Sequence, residues 1–215
     1  MQHCGGTANH HSRGEAQVDR GDVEEFHYIT PVENLTSVLT YGLQSHERAK
    51  AYQHVSVASE SVQGLRAPKH IPGQGRTIHD YVNLYFHCRN SMMFFLMRND
   101  KRRLVVVRVR PSILDLPGAI IADGNAASHA TRFMPVGAGL RSLDKDRVYA
   151  RSWDHPDSFV KTELKRQRSA ELLVPDQIAV SYITGYYVYK QQQIDYCSNL
   201  APNWPCEVNA DVFFE

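Results

Sequence analysis

Three sets of side chains in this sequence are suited to chemistry. Glu171 opens the apolar run Glu171-Leu-Leu-Val174, and a carboxylate set against a buried strand costs free energy unless it has a task or a partner. Such a group can stabilise a developing positive charge or accept a proton; equally, a strand-edge glutamate can be plain surface. Arg89 follows the aromatic run Tyr85-Phe86-His87, which puts a planar, forked cation at a strand end, suited to gripping an anion through two parallel hydrogen bonds. The alternative for Arg89 is a salt bridge to a neighbouring carboxylate. The third set is basic. Residues 98–168 hold fifteen Lys or Arg against eight Asp or Glu, net +7, and the rest of the chain holds nine against fifteen, net −6. The middle of the chain can therefore turn a basic face to phosphates, unless these charges are ordinary solvated surface.

Holding such residues in place requires a sheet and its connections. Phe26-His27-Tyr28-Ile29 reads as a short strand of aromatic and branched residues. A helix should follow, with Thr30 as N-cap, Pro31 at the first position and Glu33 completing a capping box. Val32, Leu35, Val38, Leu39 and Leu43 give it an apolar stripe, and Gly42 marks its stop. Residues 45–80 are mostly polar and are broken by Pro68, Pro72, Gly73 and Gly75, which predicts a long loop region.

Further along, Tyr81–His87 predicts a strand, Met92–Met97 a buried apolar run, and Leu104–Arg110 the strongest strand, stopped by Pro111. Residues 118–131 are small and polar and read as a surface loop entering a short helix. Glu171–Val174 and Ile178–Ile183 predict two more strands, and Val212–Phe214 a last edge strand. Short strands mixed with a few helices, without regular alternation, imply an α+β sheet protein.

The 215 residues suffice for one substantial domain, and 42% hydrophobic with 22% charged residues is ordinary globular usage. Residues 1–22 are polar and aperiodic, so they are expected to be a disordered leader before a single domain at 23–215. No stretch approaches the roughly 18 apolar residues of a membrane span, and the start lacks a secretory core, which implies a cytoplasmic protein. Cys4, Cys88, Cys197 and Cys206 show no zinc-type spacing and are read as reduced thiols. Neither a P-loop nor a complete GxGxxG is present, nor are HExxH or GxSxG, so the common nucleotide, zinc-protease and hydrolase readings lose support.

Four blocks in register resemble the DarT family, DNA ADP-ribosyltransferase toxins of bacterial toxin–antitoxin pairs. They are Tyr28-Ile-Thr-Pro-Val-Glu-Asn-Leu35 through Tyr41-Gly-Leu43, His79-Asp-Tyr-Val-Asn-Leu-Tyr-Phe-His-Cys-Arg-Asn-Ser-Met92, Asp123-Gly-Asn-Ala-Ala-Ser-His129 and Arg168-Ser-Ala-Glu-Leu-Leu-Val174. The resemblance covers about residues 23–214. It implies an ADP-ribosyltransferase-like split mixed β-sheet with flanking helices and an NAD cleft, and transfer of ADP-ribose from NAD to a base of single-stranded DNA. NAD is then a co-substrate, and no metal is expected.

By the same resemblance Glu171 is the catalytic carboxylate and Arg89 a catalytic clamp on NAD. Tyr28, Thr30 and Asn34 join Arg89 on the cofactor side. Many relatives carry His-Ile-Thr where this chain has Tyr28-Ile29-Thr30, so a tyrosine takes the ribose-facing place, with His27 directed to the opposite side of the strand. His129 serves the DNA side, with Arg132, Tyr149, Arg151, Arg166 and Arg168 as candidates to follow the single strand. The implied partners are single-stranded DNA and a macrodomain antitoxin that removes the mark, with no membrane. Rival readings are an RNA or protein acceptor, or a non-catalytic nucleic-acid-binding module. Which base is modified is left open at this level.

Overall fold

A computed structural model of the chain describes residues 16–52, 54–56, 60–99 and 103–214. In chain order its elements are β1 (Phe26–Pro31), α1 (Leu35–Tyr41), β2 (Leu43–Gln44), α2 (His46–Ala49), α3 (Glu60–Arg66), β3 (Tyr81–Tyr85), α4 (Ser91–Asn99), β4 (Leu104–Val109) and β5 (Ile120–Ala122). There follow β6 (Phe133–Pro135), α5 (Val136–Ser142), α6 (Lys145–Val148), α7 (Ser158–Gln167), β7 (Glu171–Pro175), β8 (Gln177–Ile178), β9 (Ile183–Val188), α8 (Gln192–Leu200) and β10 (Cys206–Val208).

Eight strands form one mixed sheet in the order β10-β9-β4-β1-β3-β7-β5-β6, and β2 pairs with β8 in a separate ribbon. All pairs in the large sheet are antiparallel except β10 with β9. β1 pairs with β4 along its whole length, Phe26 opposite Val109 to Pro31 opposite Leu104. With β3, by contrast, it shares one register position, His27 opposite Tyr85, and the two strands then part. The sheet is thus split, and the gap between β1 and β3 is the cleft that the family resemblance implies.

The core is the branched and aromatic content of the central strands. Val105, Val106, Val107, Leu172, Leu173 and Leu84 are all buried, with Phe26 edge-on to Phe86 at 5.0 Å between ring centroids. Burial on both faces explains why β4 and β7 read as continuous apolar runs rather than alternating ones.

Several expectations are revised. Thr30 is not a helix cap: its backbone lies in the β1 ladder opposite Val105, so the chain turns only after Pro31, through a 3-10 turn at Val32–Asn34 into α1. Gly42 does stop α1, at φ +76°, where a Cβ would stand 2.1 Å from the Ile178 carbonyl oxygen. The loop expected over 45–80 contains α2 and α3. The polar stretch 118–131 begins with β5, whose three residues are buried, and enters no helix. Met92–Met97 lies in α4, buried at Met93 and Leu96 but not at the exposed Phe95. The strand read at Ile178–Ile183 divides into β8 and a 3-10 turn, and the long strand is β9, which Gly185 interrupts in sequence. Phe213 is buried beyond a 3-10 turn, and the sheet edge is β10 instead.

The domain also starts before Val23. Val18 is fully buried, its N–H donates to the Leu143 carbonyl at 3.2 Å, and Gln17 bridges to Asp144. Residues 1–15 of the expected leader, Cys4 included, lie outside the described residues. Cys88, Cys197 and Cys206 are free thiols. Among the described residues no helix is long and apolar enough to cross a membrane.

Candidate active site

Glu171 is the first residue of β7, directly opposite Tyr85 of β3 and Ala122 of β5. Opposed residues share a sheet face, so the carboxylate is aimed by two ladders at once. It is fully buried, and its cost of burial is met by three donors. Oε1 accepts from the Ala126 N–H at 2.8 Å; Oε2 accepts from Arg66 Nη2 at 2.6 Å and from Asn83 Nδ2 at 2.7 Å. Arg66, Asn83 and Tyr85 line the cleft, so the carboxylate stands just behind the cleft wall, held by groups that form it.

Arg66 ends α3 and is itself only 8% exposed. Burial opposes its charge, but Glu171 and then Tyr85 outweigh that and hold its pKa above the ordinary arginine value. Tyr85 is pushed up, first by burial and then by the Glu171 charge. A glutamate, an arginine and a tyrosine are thereby coupled in one low-dielectric site, the setting in which electrostatic stabilisation is strongest.

Of the residues expected on the cofactor side, Tyr28, Thr30 and Asn34 are brought together along the same cleft. Thr30 is buried, and burial raises the Tyr28 pKa. Asn34 Nδ2 donates to Thr30 Oγ1 at 3.0 Å and to the Val55 carbonyl at 2.8 Å, while its Oδ1 accepts the Val55 N–H at 2.8 Å. Asn34 therefore ties the segment 54–56, which forms the cleft's other wall, to the end of β1.

Arg89 is placed elsewhere. It donates to the Phe213 carbonyl and lies 4.3 Å over the Phe214 ring, and it does not line the cleft. The reason is that the chain turns after Tyr85, where β3 ends, and directs Arg89 toward the C-terminal segment.

The DNA-side candidates divide. His129 is exposed on the loop 123–131, the loop that supplies the Ala126 N–H to Glu171. Arg132 and Arg166 flank that loop, both on Asp123, at 2.8 Å and 2.9 Å. Arg151 is highly exposed, beside Asp211 at 3.3 Å. Arg168, however, cannot follow a DNA strand: it is 2% exposed, donates to the Val148 carbonyl and to His87 Nδ1, and burial lowers its pKa to about 10. Tyr149 is half-buried, with its hydroxyl enclosed and its ring edge-on to His87 at 6.4 Å, and it does not line the cleft beside Glu171. Both were read from charge and ring type, and neither of those reports depth.

Among the described residues His46, Glu47 and His79 place one metal-type ligand atom each within 4.8 Å of one another. The two rings already contact each other, with centroids 4.2 Å apart, and both Glu47 oxygens accept from Lys50 Nζ at 2.7 and 2.6 Å. Lys50 thus already occupies the Glu47 carboxylate, while His79 Nε2 is buried without a hydrogen-bond partner.

Sequence reasoning missed Arg66, Asn83 and Ala126. Arg66 falls in a polar stretch read as loop, and nothing local marks an arginine whose partner lies 105 residues away.

A family model described as ssDNA thymidine ADP-ribosyltransferase, DarT, matches residues 27–214. A DNA ADP-ribosyl transferase-DNA ADP-ribosyl glycohydrolase fusion protein of Thermosipho africanus is 29% identical over 172 residues, which is 76% of this chain and 42% of that protein. A DNA ADP-ribosyl transferase of Thermus sp. is 27% identical over 177 residues, covering 77% of this chain and 81% of the relative. Among solved structures, Thermosipho africanus DarTG in complex with ADP-ribose superposes with a TM-score of 0.80 at 26% identity, over 89% of this chain and 51% of that one. Thermus sp. 2.9 DarT in complex with ADP-ribosylated ssDNA gives 0.78 at 20% identity, over 94% of this chain and 100% of that one, a likeness of fold.

Proposed function

The chain belongs to the DarT family of ssDNA thymidine ADP-ribosyltransferases, and on that premise we propose that it moves ADP-ribose from NAD to thymidine in single-stranded DNA, releasing nicotinamide. The observation that carries this reading is the buried Glu171 bonded to Arg66 at the wall of a cleft opened by a split sheet. In the step, the bond between the ribose C1′ and the nicotinamide nitrogen breaks and its electron pair leaves with nicotinamide. A base nitrogen then bonds C1′ and its proton passes to the Glu171 carboxylate. The ribose carries positive charge in between, and the carboxylate stabilises it.

Glu171 Oε2 accepts from two donors in the free protein, so substrate binding has to release one of them for this oxygen to face the reacting centre. Arg66 is the cation placed to take up a phosphate or ribose oxygen as it moves. Tyr28 and Thr30 line the cleft and Asn34 ties its wall, which supports a cofactor role for them. His129 and Arg132 are exposed on and beside the loop at Glu171, where an unpaired strand would approach. A duplex would serve poorly, because pairing hides the ring nitrogen and flipping a base out costs a few kcal/mol.

The Thermosipho africanus relative joins a DNA ADP-ribosyl transferase to a DNA ADP-ribosyl glycohydrolase in one protein. That supports a toxin whose mark is removed by a glycohydrolase partner, the macrodomain antitoxin expected above, acting on DNA in the cytoplasm. Labelled NAD offered with single-stranded DNA, duplex DNA, RNA and a protein mixture tests the acceptor. Label is expected on single-stranded DNA, at rates that fall with salt; preferential labelling of RNA or protein would contradict it.

A further inference from the structure

Lys69 stands three residues beyond Arg66, and its ammonium reaches across to the loop 123–131. Nζ donates to the Ala126 carbonyl at 2.7 Å and to the Ser128 carbonyl at 2.5 Å, and it lies 5.1 Å from the centre of the Phe133 ring where that loop enters β6. The Ala126 residue is thus gripped at both ends: its carbonyl by Lys69, and its N–H by Glu171 Oε1 at 2.8 Å. Ser128 precedes His129, the exposed side chain on the acceptor side. Burial lowers the Lys69 pKa, with the Arg66 charge adding to that and the Glu171 charge opposing it, so the Lys69 ammonium shares the field of the catalytic pair, while its backbone N–H donates to the Arg66 carbonyl at 3.1 Å.

The loop's other ties are local or run to α7. The Ala127 N–H bonds Asn125 Oδ1 at 2.9 Å, Thr131 Oγ1 bonds the Asn125 carbonyl at 2.7 Å, and Asp123 holds Arg166. These keep the loop's shape. Lys69 adds what they do not, a tie to the segment that also carries Arg66, so that loop and arginine meet the carboxylate in a set relation.

We propose that Lys69 is a positioning residue that registers the acceptor loop 123–131 against the Arg66–Glu171 pair, acting through the Ala126 and Ser128 carbonyls. This rests on the transferase reading given above. Two carbonyls and an aromatic face are ligands for a cation, and a neutral side chain of equal length leaves both carbonyls unpaired. The loop would then shift relative to Glu171, and a misplacement of about 1 Å at a reacting centre costs roughly 10² in rate.

The test is steady-state transfer to a thymidine-containing single-stranded oligonucleotide by wild type, Lys69→Met and Lys69→Arg, with NAD affinity measured by calorimetry and melting followed alongside. At a temperature well below melting, Lys69→Met is expected to lose roughly tenfold to a hundredfold in kcat with NAD affinity unchanged, and Lys69→Arg to recover most of it. If Lys69→Met shows no cooperative melt, Lys69→Gln, which keeps an N–H₂ donor group on a shorter, uncharged side chain, is expected to show the same split. Wild-type kcat in a neutral variant overturns the proposal, as does a kcat loss matched by an equal loss of NAD affinity. A wild-type protein that modifies no oligonucleotide is a different result: it removes the transferase reading, and this proposal with it.

Discussion

Arg66 Nη2 lies 2.6 Å from Glu171 Oε2, joining the end of α3 to the start of β7 across 105 residues of chain. Both side chains are nearly sealed from solvent, at 10% and 0% exposure, so neither charge is stable there without the other. A pair of this kind contributes little net stability while intact and costs much when half of it is removed.

That asymmetry predicts the outcome of Arg66→Ala. The lost partner leaves a buried carboxylate, expected to cost about 3–5 kcal/mol and to show as a lower melting temperature together with loss of transfer. Arg66→Lys should keep more stability than activity, because one ammonium lacks the planar fork. Wild-type activity in Arg66→Lys would show that only the charge is used.

Arg89→Ala is expected to act on the fold rather than on the cofactor. Removing its bond to the Phe213 carbonyl and its contact with Phe214 should cost about 1.5–3 kcal/mol and lower the melting temperature, with little change in KM for NAD. An unchanged melting temperature with a large rise in that KM would return Arg89 to the cofactor site.

How far the site was legible from sequence follows from where its information lies. Glu171 stands out because a charged residue heading an apolar strand is a local anomaly, but that pattern alone leaves it open as plain surface, and its catalytic role comes from the family resemblance. Of the two roles expected of Thr30, the helix cap fails, since the capping pattern is local but the ladder to Val105 that overrides it is not. Arg168 was read as a DNA contact because a run of basic residues looks alike whether exposed or buried, and only the packing of α6 and α7 makes it a core donor to the Val148 carbonyl. The four central strands β1, β3, β4 and β7 are visible as apolar runs, whereas β5, β6, β9 and β10 are not. The strand order is not visible either, and neither is the single shared position of β1 and β3 that opens the cleft, because strand pairing joins segments far apart in sequence.

The His87 ring predicts a pH dependence. Its Nδ1 accepts from Arg168 Nη2 at 2.9 Å and from the Arg89 N–H at 3.1 Å, so this nitrogen must be unprotonated. Burial, and then the Arg168 charge, lower its pKa from 6.5 to about 3. An unfolded chain takes up this proton below pH 6.5 and the folded one only near pH 3. The stability is therefore complete above 6.5 and declines as pH falls toward 3, by at most about 1.4 kcal/mol per pH unit. Chemical denaturation at stepped pH should show a flatter decline in His87→Gln, which accepts hydrogen bonds without titrating. Parallel declines would contradict the assignment.

Truncation to Val23 should destabilise the protein. It removes the fully buried Val18, worth about 1.5–3 kcal/mol, along with its bond to Leu143. A melting temperature equal to that of the full chain would place the domain boundary at Val23 after all.

The most direct test of the central claim is mass spectrometry of a thymidine-containing single-stranded oligonucleotide after incubation with NAD and either the wild-type chain or Glu171→Gln. The amide keeps the size and some of the hydrogen bonding of the glutamate but neither stabilises the cation-like ribose nor takes the base proton. Wild type is predicted to leave an ADP-ribosyl adduct on thymidine, and the variant, shown folded by its melt and still binding NAD, to form it roughly 10²–10⁴ times more slowly. An adduct formed at the wild-type rate by the folded variant, or no DNA adduct with the wild type, would contradict the account.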